Sequence, residues 1–339
     1  MEKKISNVCK IVSEKISINE INKDNYISTE NMLPNYGGVQ KASSLPKYNV
    51  NSYKLGDILL SNIRPYFKKI WFASKDGGCS NDVLVIRSNN DILDKYLYYS
   101  LTNDRFINYY VASCKGTKMP RGNKNALLDW IINVPSLKYQ QHIVNTIGSI
   151  DDLIENYDKQ LEKIKIILRD KYKSYDNLNK IKLGDVATIK TGKLNADACC
   201  QNGIYPFFTC SEKPLNINVY AFDGPSILLS GNGSQLGYLN FYDGKFNAYQ
   251  RTYVIQSNKI YSIYASLLCN IDQIINQACG SAIPYITKPM IENLYIFEFD
   301  KITEKIFKIL IVKMQHINKE KSLLIKLKQT LLNKYFTNQ

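Results

Sequence analysis

"GDILLSNIRPYFKKIWF" (residues 56–72) and "PSILLSGNGSQLGYLNF" (225–241) align at a constant offset of 169. Ile58-Leu59-Leu60-Ser61 falls on Ile227-Leu228-Leu229-Ser230, Ile70 on Leu239 and Phe72 on Phe241. The same offset carries "VLVIRSN" (83–89) onto "TYVIQSN" (252–258). Further on, "CKGTKMPRGNKNALLDWIINVP" (114–135) matches "ACGSAIPYITKPMIENLYIFEF" (278–299) at an offset of 164, placing Gly116 on Gly280, Pro120 on Pro284 and Leu127 on Ile291. Near the start, "VCKIVSEKI" (8–16) resembles "VATIKTGKL" (186–194). Four matches in one order mark the chain as two copies of one unit.

Each copy ends in a helix. In the first, Ile143, Ile147, Ile150, Ile154, Tyr157, Leu161, Ile164 and Leu168 recur at alternating steps of four and three, the heptad seam of a coiled coil. In the second, Ile306, Leu310, Ile317, Leu324, Leu327 and Leu331 keep that register, with Lys313 and Glu320 as polar seam positions. Helices of this size are ~40–50 Å long at ~1.5 Å per residue. Neither buries its stripe alone, so the two are expected to pack on each other as an antiparallel pair. The expected division is a body over 1–138, a central helix over 139–179, a second body over 180–301 and a C-terminal helix over 302–339.

The bodies read as α/β (α+β) with short strands. "DILLSN", "KIWFAS", "VLVIRS" and "WIINVP" in one, and "SILLSG", "LNFYDG", "TYVIQS" and "LYIFEF" in the other, are apolar runs bounded by Asn, Gly and Asp. "LDKYLYYSLTNDRFINYY" (93–110) and "YSIYASLLCNIDQIINQA" (261–278) look like a matching short helix in each copy.

With 339 residues and 45% apolar content, the chain is long enough for two cores. No apolar run approaches the ~18 residues of a membrane helix, and the charged N-terminus lacks a signal-peptide pattern; the cytoplasm is expected. The net charge of +14 favours a polyanionic partner. Its distribution is uneven. Residues 1–140 hold 20 Lys and Arg against 12 Asp and Glu, residues 181–300 hold 8 against 9, and residues 301–339 hold 9 against 2.

Several chemistries are set aside. The eight cysteines form no C-x-x-C pair and there are only two histidines, His142 and His316, so neither a zinc site nor a duplicated histidine acid–base site is expected. The chain has no Pro-Pro pair for an amino-methyltransferase motif and no G-x-x-x-x-G-K-[ST] phosphate loop. The (D/E)-x-K pattern of restriction-type nucleases occurs only at Glu2–Lys4 and Asp243–Lys245, and Asp243-Gly244 reads as a hairpin turn. "GNGSQLG" (231–237) is close to a dinucleotide fingerprint but spaces its glycines G-x-G-x-x-x-G. The repeat places this loop on "NIRPYFK" (62–68), which has no glycine. A cofactor loop would have been lost from one copy, whereas a recognition loop is expected to differ between copies.

The duplicated layout closely resembles the specificity subunit of type I restriction-modification systems. The residues that carry the likeness are "GDILLSN" and "PSILLSGNGS", the Gly-Pro-strand blocks "KGTKMPR…NVP" and "CGSAIPYI…FEF", and above all "QQHIVNTIGSIDDLIENYDKQLEKIK" in the first helix. "GDVATIKTGK" and "GIYPFFTCSE" resemble the opening of a second target-recognition domain. The second helix lacks the Gln-Gln entrance of the first.

The resemblance implies two target-recognition domains related by pseudo-twofold symmetry, separated by spacer helices and each reading one half of a split double-stranded DNA target. It implies a non-catalytic chain that docks methyltransferase subunits, two per chain, and restriction (motor) subunits. S-adenosylmethionine, Mg and ATP would belong to those partners, with no cofactor or metal on this chain and no membrane. The rival expectation is a stand-alone DNA-binding or scaffold protein with a coiled-coil rod and no methyltransferase partner.

Candidate DNA contacts follow from the loops. In the first copy they are Asn62, Arg64, Lys68, Lys69, Lys115, Lys118, Arg121 and Lys124. In the second they are Asn232, Ser234, Gln235, Gln250, Arg251 and Tyr285, with Lys193 and Lys288 for the DNA backbone. Arg pairs bidentately with guanine and Asn or Gln with adenine, while Lys more often meets phosphate. The helix-pair interface is expected at Ile147, Ile150, Ile154, Tyr157, Leu161, Ile164, Leu168, Leu310, Ile317, Leu324, Leu327 and Leu331.

Overall fold

The computed structural model describes residues 1–116, 118–175, 179–211, 213–280 and 282–336. Thr117 and Ser281 of the Gly-Pro blocks, 176–178 of the expected central helix and 337–339 of the C-terminal helix lie outside them. The chain divides into two units, Met1–Glu155 with Ser322–Gln339, and Asn156–Lys321.

In the first unit the strands are β1 (Glu2–Lys4), β2 (Cys9–Val12), β3 (Lys15–Ile16), β4 (Tyr26–Ile27), β5 (Val50–Tyr53), β6 (Ile58–Ser61), β7 (Ile70–Phe72), β8 (Gly77–Cys79) and β9 (Val83–Ser88). Then come α1 (Asp94–Leu101), α2 (Asp104–Ala112), α3 (Lys124–Asp129), β10 (Ile131–Asn133) and the start of α4 (Leu137–Lys173). They form sheets β2-β9-β6-β7, β3-β5-β8-β4 and β1-β10.

The second unit has β11 (Lys180–Lys182), α5 (Leu183–Val186), β12 (Thr188–Thr191), β13 (Tyr205–Phe208), β14 (Leu215–Ile217), β15 (Ser226–Ser230), β16 (Leu239–Tyr242), β17 (Asn247–Ala248) and β18 (Thr252–Gln256). There follow α6 (Ile260–Ile275), α7 (Lys288–Glu292), β19 (Tyr295–Phe297) and α8 (Lys301–Phe336), whose last part belongs to the first unit. Its sheets are β12-β18-β15-β16, β14-β13-β17 and β11-β19. The sheets β2-β9-β6-β7 and β1-β10 therefore repeat in order and sense as β12-β18-β15-β16 and β11-β19. The register repeats too: Ile11 faces Ile86 and Ile189 faces Ile255.

The apolar runs are continuous rather than alternating because both faces of this sheet are covered. In the first unit Ile58, Leu60, Leu84 and Ile86 face a core shared with α1 and α2. Leu59, Val83 and Val85 face the second sheet with Val12, Tyr53 and Cys79. In the second unit Ile227, Leu229 and Ile255 pack towards α6, and Leu228 and Val254 towards Phe208 and Phe246. Burial pushes the Cys9 and Cys79 thiols up to about 12, which makes them packing groups.

One pair in this sheet changes chemistry between the copies. Asp57, 2% exposed, accepts both Arg87 Nε (2.8 Å) and Nη2 (2.7 Å). At the offset of 169 these positions are Ser226 and Gln256, and Gln256 Nε2 donates to Ser226 Oγ (2.9 Å). A bidentate ion pair and a neutral hydrogen bond fill the same place.

The Gln-Gln entrance to α4 has a structural explanation. Gln140 is fully buried; its Oε1 accepts the Leu93 N–H (2.8 Å) ahead of α1, and its Nε2 donates to the Pro135 carbonyl (2.9 Å). Gln141 is exposed. In the second copy Glu304 of α8 takes the same position, accepting the N–H groups of Tyr261 (3.1 Å) and Ser262 (2.9 Å) in the first turn of α6. A carboxylate at a helix N-terminus satisfies its free donors and dipole, so the missing Gln is replaced in function.

The two long helices run antiparallel within each unit. In the first, Ile143 and Ile147 share a core with Leu332, and Asp151 pairs with Lys328 (2.5 Å). In the second, Leu161, Ile164 and Leu168 share a core with Phe307, Ile311, Met314 and Ile317, Asp158 pairs with Lys321, and Tyr175 bonds Thr303 (3.0 Å). Ile150 is buried, and Ile154, Tyr157, Leu310, Leu324 and Leu331 are partly buried.

The α8 seam departs from expectation. Leu327 is 48% exposed and Lys313 is exposed, while Phe307, Ile311, Met314 and Leu332 are buried. The start and end of α8 pack on globular cores, so its buried stripe follows a 3.6-residue surface rather than a strict heptad.

Two further expectations change. Residues 93–110 form two helices, because Asn103 accepts the Phe106 N–H (2.9 Å) as the cap of α2 and donates to the Ser100 carbonyl (2.5 Å); α6 is continuous. Asp243-Gly244 is no hairpin: β16 pairs with β15, and the chain turns into β17 beside β13 in the other sheet.

Candidate nucleic-acid interface

After β6 and after β15 the chain makes a loop that docks on the Gly-Pro segment of its own unit. In the first unit the Asn62 N–H donates to Asp82 (2.8 Å), Arg64 N–H to Pro120 (2.8 Å), Gly122 N–H to Asn62 (2.9 Å) and Ser61 N–H to Lys69 (3.0 Å), all at carbonyl oxygens. In the second unit the Gly231 N–H donates to Arg251 (2.9 Å), Gly233 N–H to Pro284 (3.2 Å), Ile286 N–H to Gly231 (2.9 Å) and Ser230 N–H to Tyr238 (3.0 Å). Every bond in one set is the other translated by the two sequence offsets. Lys115 with Arg121, and Cys279 with Tyr285, close the partner segments by reciprocal bonds of 3.0 and 2.9 Å.

This match explains the glycines of 231–237. Gly233 (φ +79°) and Gly237 (φ +81°) are left-handed, and the first copy puts Arg64 (φ +48°) and Lys68 (φ +54°) there. The loop needs left-handed backbone at both positions whichever residue stands there. Glycine adopts it without strain, while Arg and Lys each carry about 1–2 kcal/mol of it.

The first copy supplies a clamp that holds its loop. The Asn35 N–H donates to Phe67 (2.9 Å) and the Tyr36 N–H to Lys68 (3.0 Å), from residues themselves left-handed at φ +53° and +60°. Lys69 Nζ donates to the Thr29 carbonyl (2.6 Å), and burial lowers its pKa from the ordinary lysine value. Lys68 pairs with Asp104 (2.7 Å), whose other oxygen accepts from Gln329 of α8 (3.3 Å). Asn62 Oδ1 accepts the Tyr110 hydroxyl (2.7 Å), Arg121 pairs with Asp82 (3.1 Å) while 62% exposed, and Arg64 Nε is buried without a hydrogen-bond partner.

Of the candidates in the first unit, Asn62, Lys68, Lys69 and Arg121 are thus bonded within the protein, Arg121 while still exposed, and Lys115, Lys118 and Lys124 are exposed. In the second unit Ser234, Gln235, Gln250, Arg251 and Tyr285 are exposed and Asn232 is half-buried. The loop meets Tyr285 through the Asn232–Tyr285 bridge. The Gln250 N–H donates to Leu194 (3.0 Å), which brings exposed Lys193 to the same edge. Lys288 is apart from this cluster in the chain, opening α7 and pairing with Glu292 (3.2 Å). Lys124 opens α3 at the equivalent place.

Two exposed residues at the first loop were missed, Tyr66 and Phe67, although the repeat itself places Tyr66 opposite Gln235. The clamp residues Thr29, Asn35 and Tyr36 were also missed, and only the turn signature "PNYGG" (34–38) hinted at them.

The geometry defines a protein with two equivalent loop platforms, each carried by its own sheet. The family model for the type I restriction modification DNA specificity domain matches residues 1–166 and again 175–327, and the chain belongs to that family. Among relatives, the type I restriction enzyme EcoDI specificity subunit of Escherichia coli is 46% identical over 118 residues, 34% of this chain and 26% of that protein. The MjaIX specificity subunit of Methanocaldococcus jannaschii is 26% identical over 253 residues, 60% of this chain and 58% of that one. These matches thus span from about a quarter to under three-fifths of the relatives' length. The crystal structure of the type I restriction-modification S subunit from M. genitalium shares the fold, with a TM-score of 0.62 at 19% identity over 99% of this chain and 96% of that one.

Proposed function

We propose that this chain is the DNA-reading specificity subunit of a type I restriction-modification complex. Each unit reads one half of a bipartite double-stranded target with the loop after its β6 or β15 strand and the Gly-Pro segment docked on it. The observation that carries this is the pair of loops: one backbone hydrogen-bond scheme, built twice, displays unrelated side chains. That is what two readers of different sequences require, since phosphate contacts position a protein and side chains at base edges specify. The second body holds 8 basic against 9 acidic residues over 181–300, so backbone affinity comes from the first body, the basic α8 and partner subunits.

On this reading the long helices space the two units and, with the bodies, dock methyltransferase subunits and then restriction subunits. The chain itself does no chemistry; S-adenosylmethionine, Mg and ATP act on the partners, in the cytoplasm. The test is methyl transfer. The chain is purified alone and with a type I methyltransferase subunit from the same genome, and each is incubated with labelled S-adenosylmethionine and genomic DNA. The complex should methylate a two-part motif and the chain alone nothing. Transfer by the chain alone, or a complex that methylates without sequence preference, overturns the proposal.

A further inference from the structure

We propose that Tyr66 and Phe67 are specificity-determining residues of the first unit and pack against thymine 5-methyl groups in the major groove of its half-target. This rests on the DNA-reading function above and names the chemistry by which one of its two loops selects bases.

Tyr66 and Phe67 are 48% and 40% exposed, with ring centroids 4.7 Å apart. They occupy the tip between two left-handed residues, Arg64 and Lys68. By the offset of 169 they stand where the second unit presents Gln235 and Leu236. One amide and one aliphatic side chain at the tip of one loop are thus matched by two aromatic rings at the tip of the other.

The lysines that follow the rings are held by the protein, and Lys69 Nζ also lies 5.8 Å from the centre of the Phe67 ring. Lys68 is held by Asp104 and Lys69 by Thr29, while Asn35 and Tyr36 grip the carbonyls of Phe67 and Lys68. Four strained non-glycine residues meet at this one loop, all those with positive φ among the described residues. Strain of this kind is kept where surrounding structure enforces a particular geometry. The rings therefore sit on a fixed support, and little ordering cost opposes their binding.

The occupant follows from the surroundings. Lys115, Lys118 and Arg121 are exposed on the segment docked against the loop, which favours a polyanion over an apolar protein surface. In the major groove the apolar group on a base-pair edge is the thymine methyl, so an aromatic tip there selects T·A over the other pairs.

The full chain, in complex with a type I methyltransferase subunit from the same genome, is used to select targets from a randomised duplex library. Each thymine of the selected target is then replaced by deoxyuridine, which removes only the methyl. Wild type should lose about fourfold in affinity for each contacted methyl, at positions confined to one half. The double variant Tyr66→Ala/Phe67→Ala should no longer select thymine there and should bind thymine and deoxyuridine duplexes alike. Its unchanged selection of the other half shows that it is folded. Indifference of wild type to every deoxyuridine, or a variant that keeps the deoxyuridine response, overturns the proposal. So does 2-aminopurine in that half brightening with wild type but not with the variant, which would make the rings a wedge that opens a base step. A complex that selects no sequence in either half defeats the DNA-reading function itself, a result distinct from these.

Discussion

The loops at 62–68 and 231–237 share their backbone and little else. Both are closed by a bond from the last serine of a buried strand, both dock on a Gly-Pro segment, and both need left-handed backbone at the same two places. One meets that need with glycine and leaves polar side chains at its tip. The other meets it with Arg and Lys, adds a clamp from residues 29–36, and leaves two aromatic rings exposed. Loop geometry is therefore set by the common scaffold, and chemistry is free to vary on it.

The sharpest way to test the equivalence of the two scaffolds is the pair at the opposite end of the loop-bearing strands, Asp57–Arg87 and Ser226–Gln256. Asp57→Ala leaves Arg87 with only Glu14, at 3.8 Å, as a carboxylate partner. It should cost about 3 kcal/mol in urea unfolding, at the low end for a broken buried ion pair because Arg87 is partly exposed and keeps Glu14. Ser226→Ala should cost about 1 kcal/mol. The double change Asp57→Ser/Arg87→Gln imports the second copy's pair and should restore most of the loss. If it is as damaging as Asp57→Ala, the two sheets are not interchangeable at this position.

The α8 seam gives a contrast of similar size. Leu332→Ala should destabilise by about 3 kcal/mol because it empties a packed site. Leu327→Ala should stay within about 0.5 kcal/mol, as exposed positions do. Equal losses in thermal unfolding would restore the strict heptad read from the sequence.

Gln140→Leu should cost about 2 kcal/mol, since the Leu93 N–H loses its partner in a buried place. Glu304→Gln, which keeps an acceptor, should cost less by the same measurement. The smallest effect lies in the loops: Gly233→Ala should destabilise by about 1 kcal/mol, while Arg64→Gly should stabilise by about as much through relief of left-handed strain. Both variants losing stability alike would mean that the first loop holds no strain.

The repeat made most of this legible. Alignment at two offsets located the strands of the loop-bearing sheets, the loop and the Gly-Pro segment, because buried strands conserve their apolar spacing between copies. The second sheets, β3-β5-β8-β4 and β14-β13-β17, were not read from it. What it could not place were contacts that differ between copies. The clamp from Thr29, Asn35 and Tyr36 has no counterpart motif to align. The partners of Lys68 and Lys69 were also illegible, because a charge in a loop does not disclose an Asp104 or a backbone carbonyl brought to it from far along the chain. The shift of the α8 stripe came from tertiary packing at its ends, which periodicity alone does not encode.

The most direct test of the central claim is target selection by the Gln235→Ala/Arg251→Ala variant beside wild type, in complex with its methyltransferase partner. Base preference should change in one half of the motif, with the other half and the spacing between them unchanged. A change in both halves, or in neither, would contradict a chain whose two units read separately.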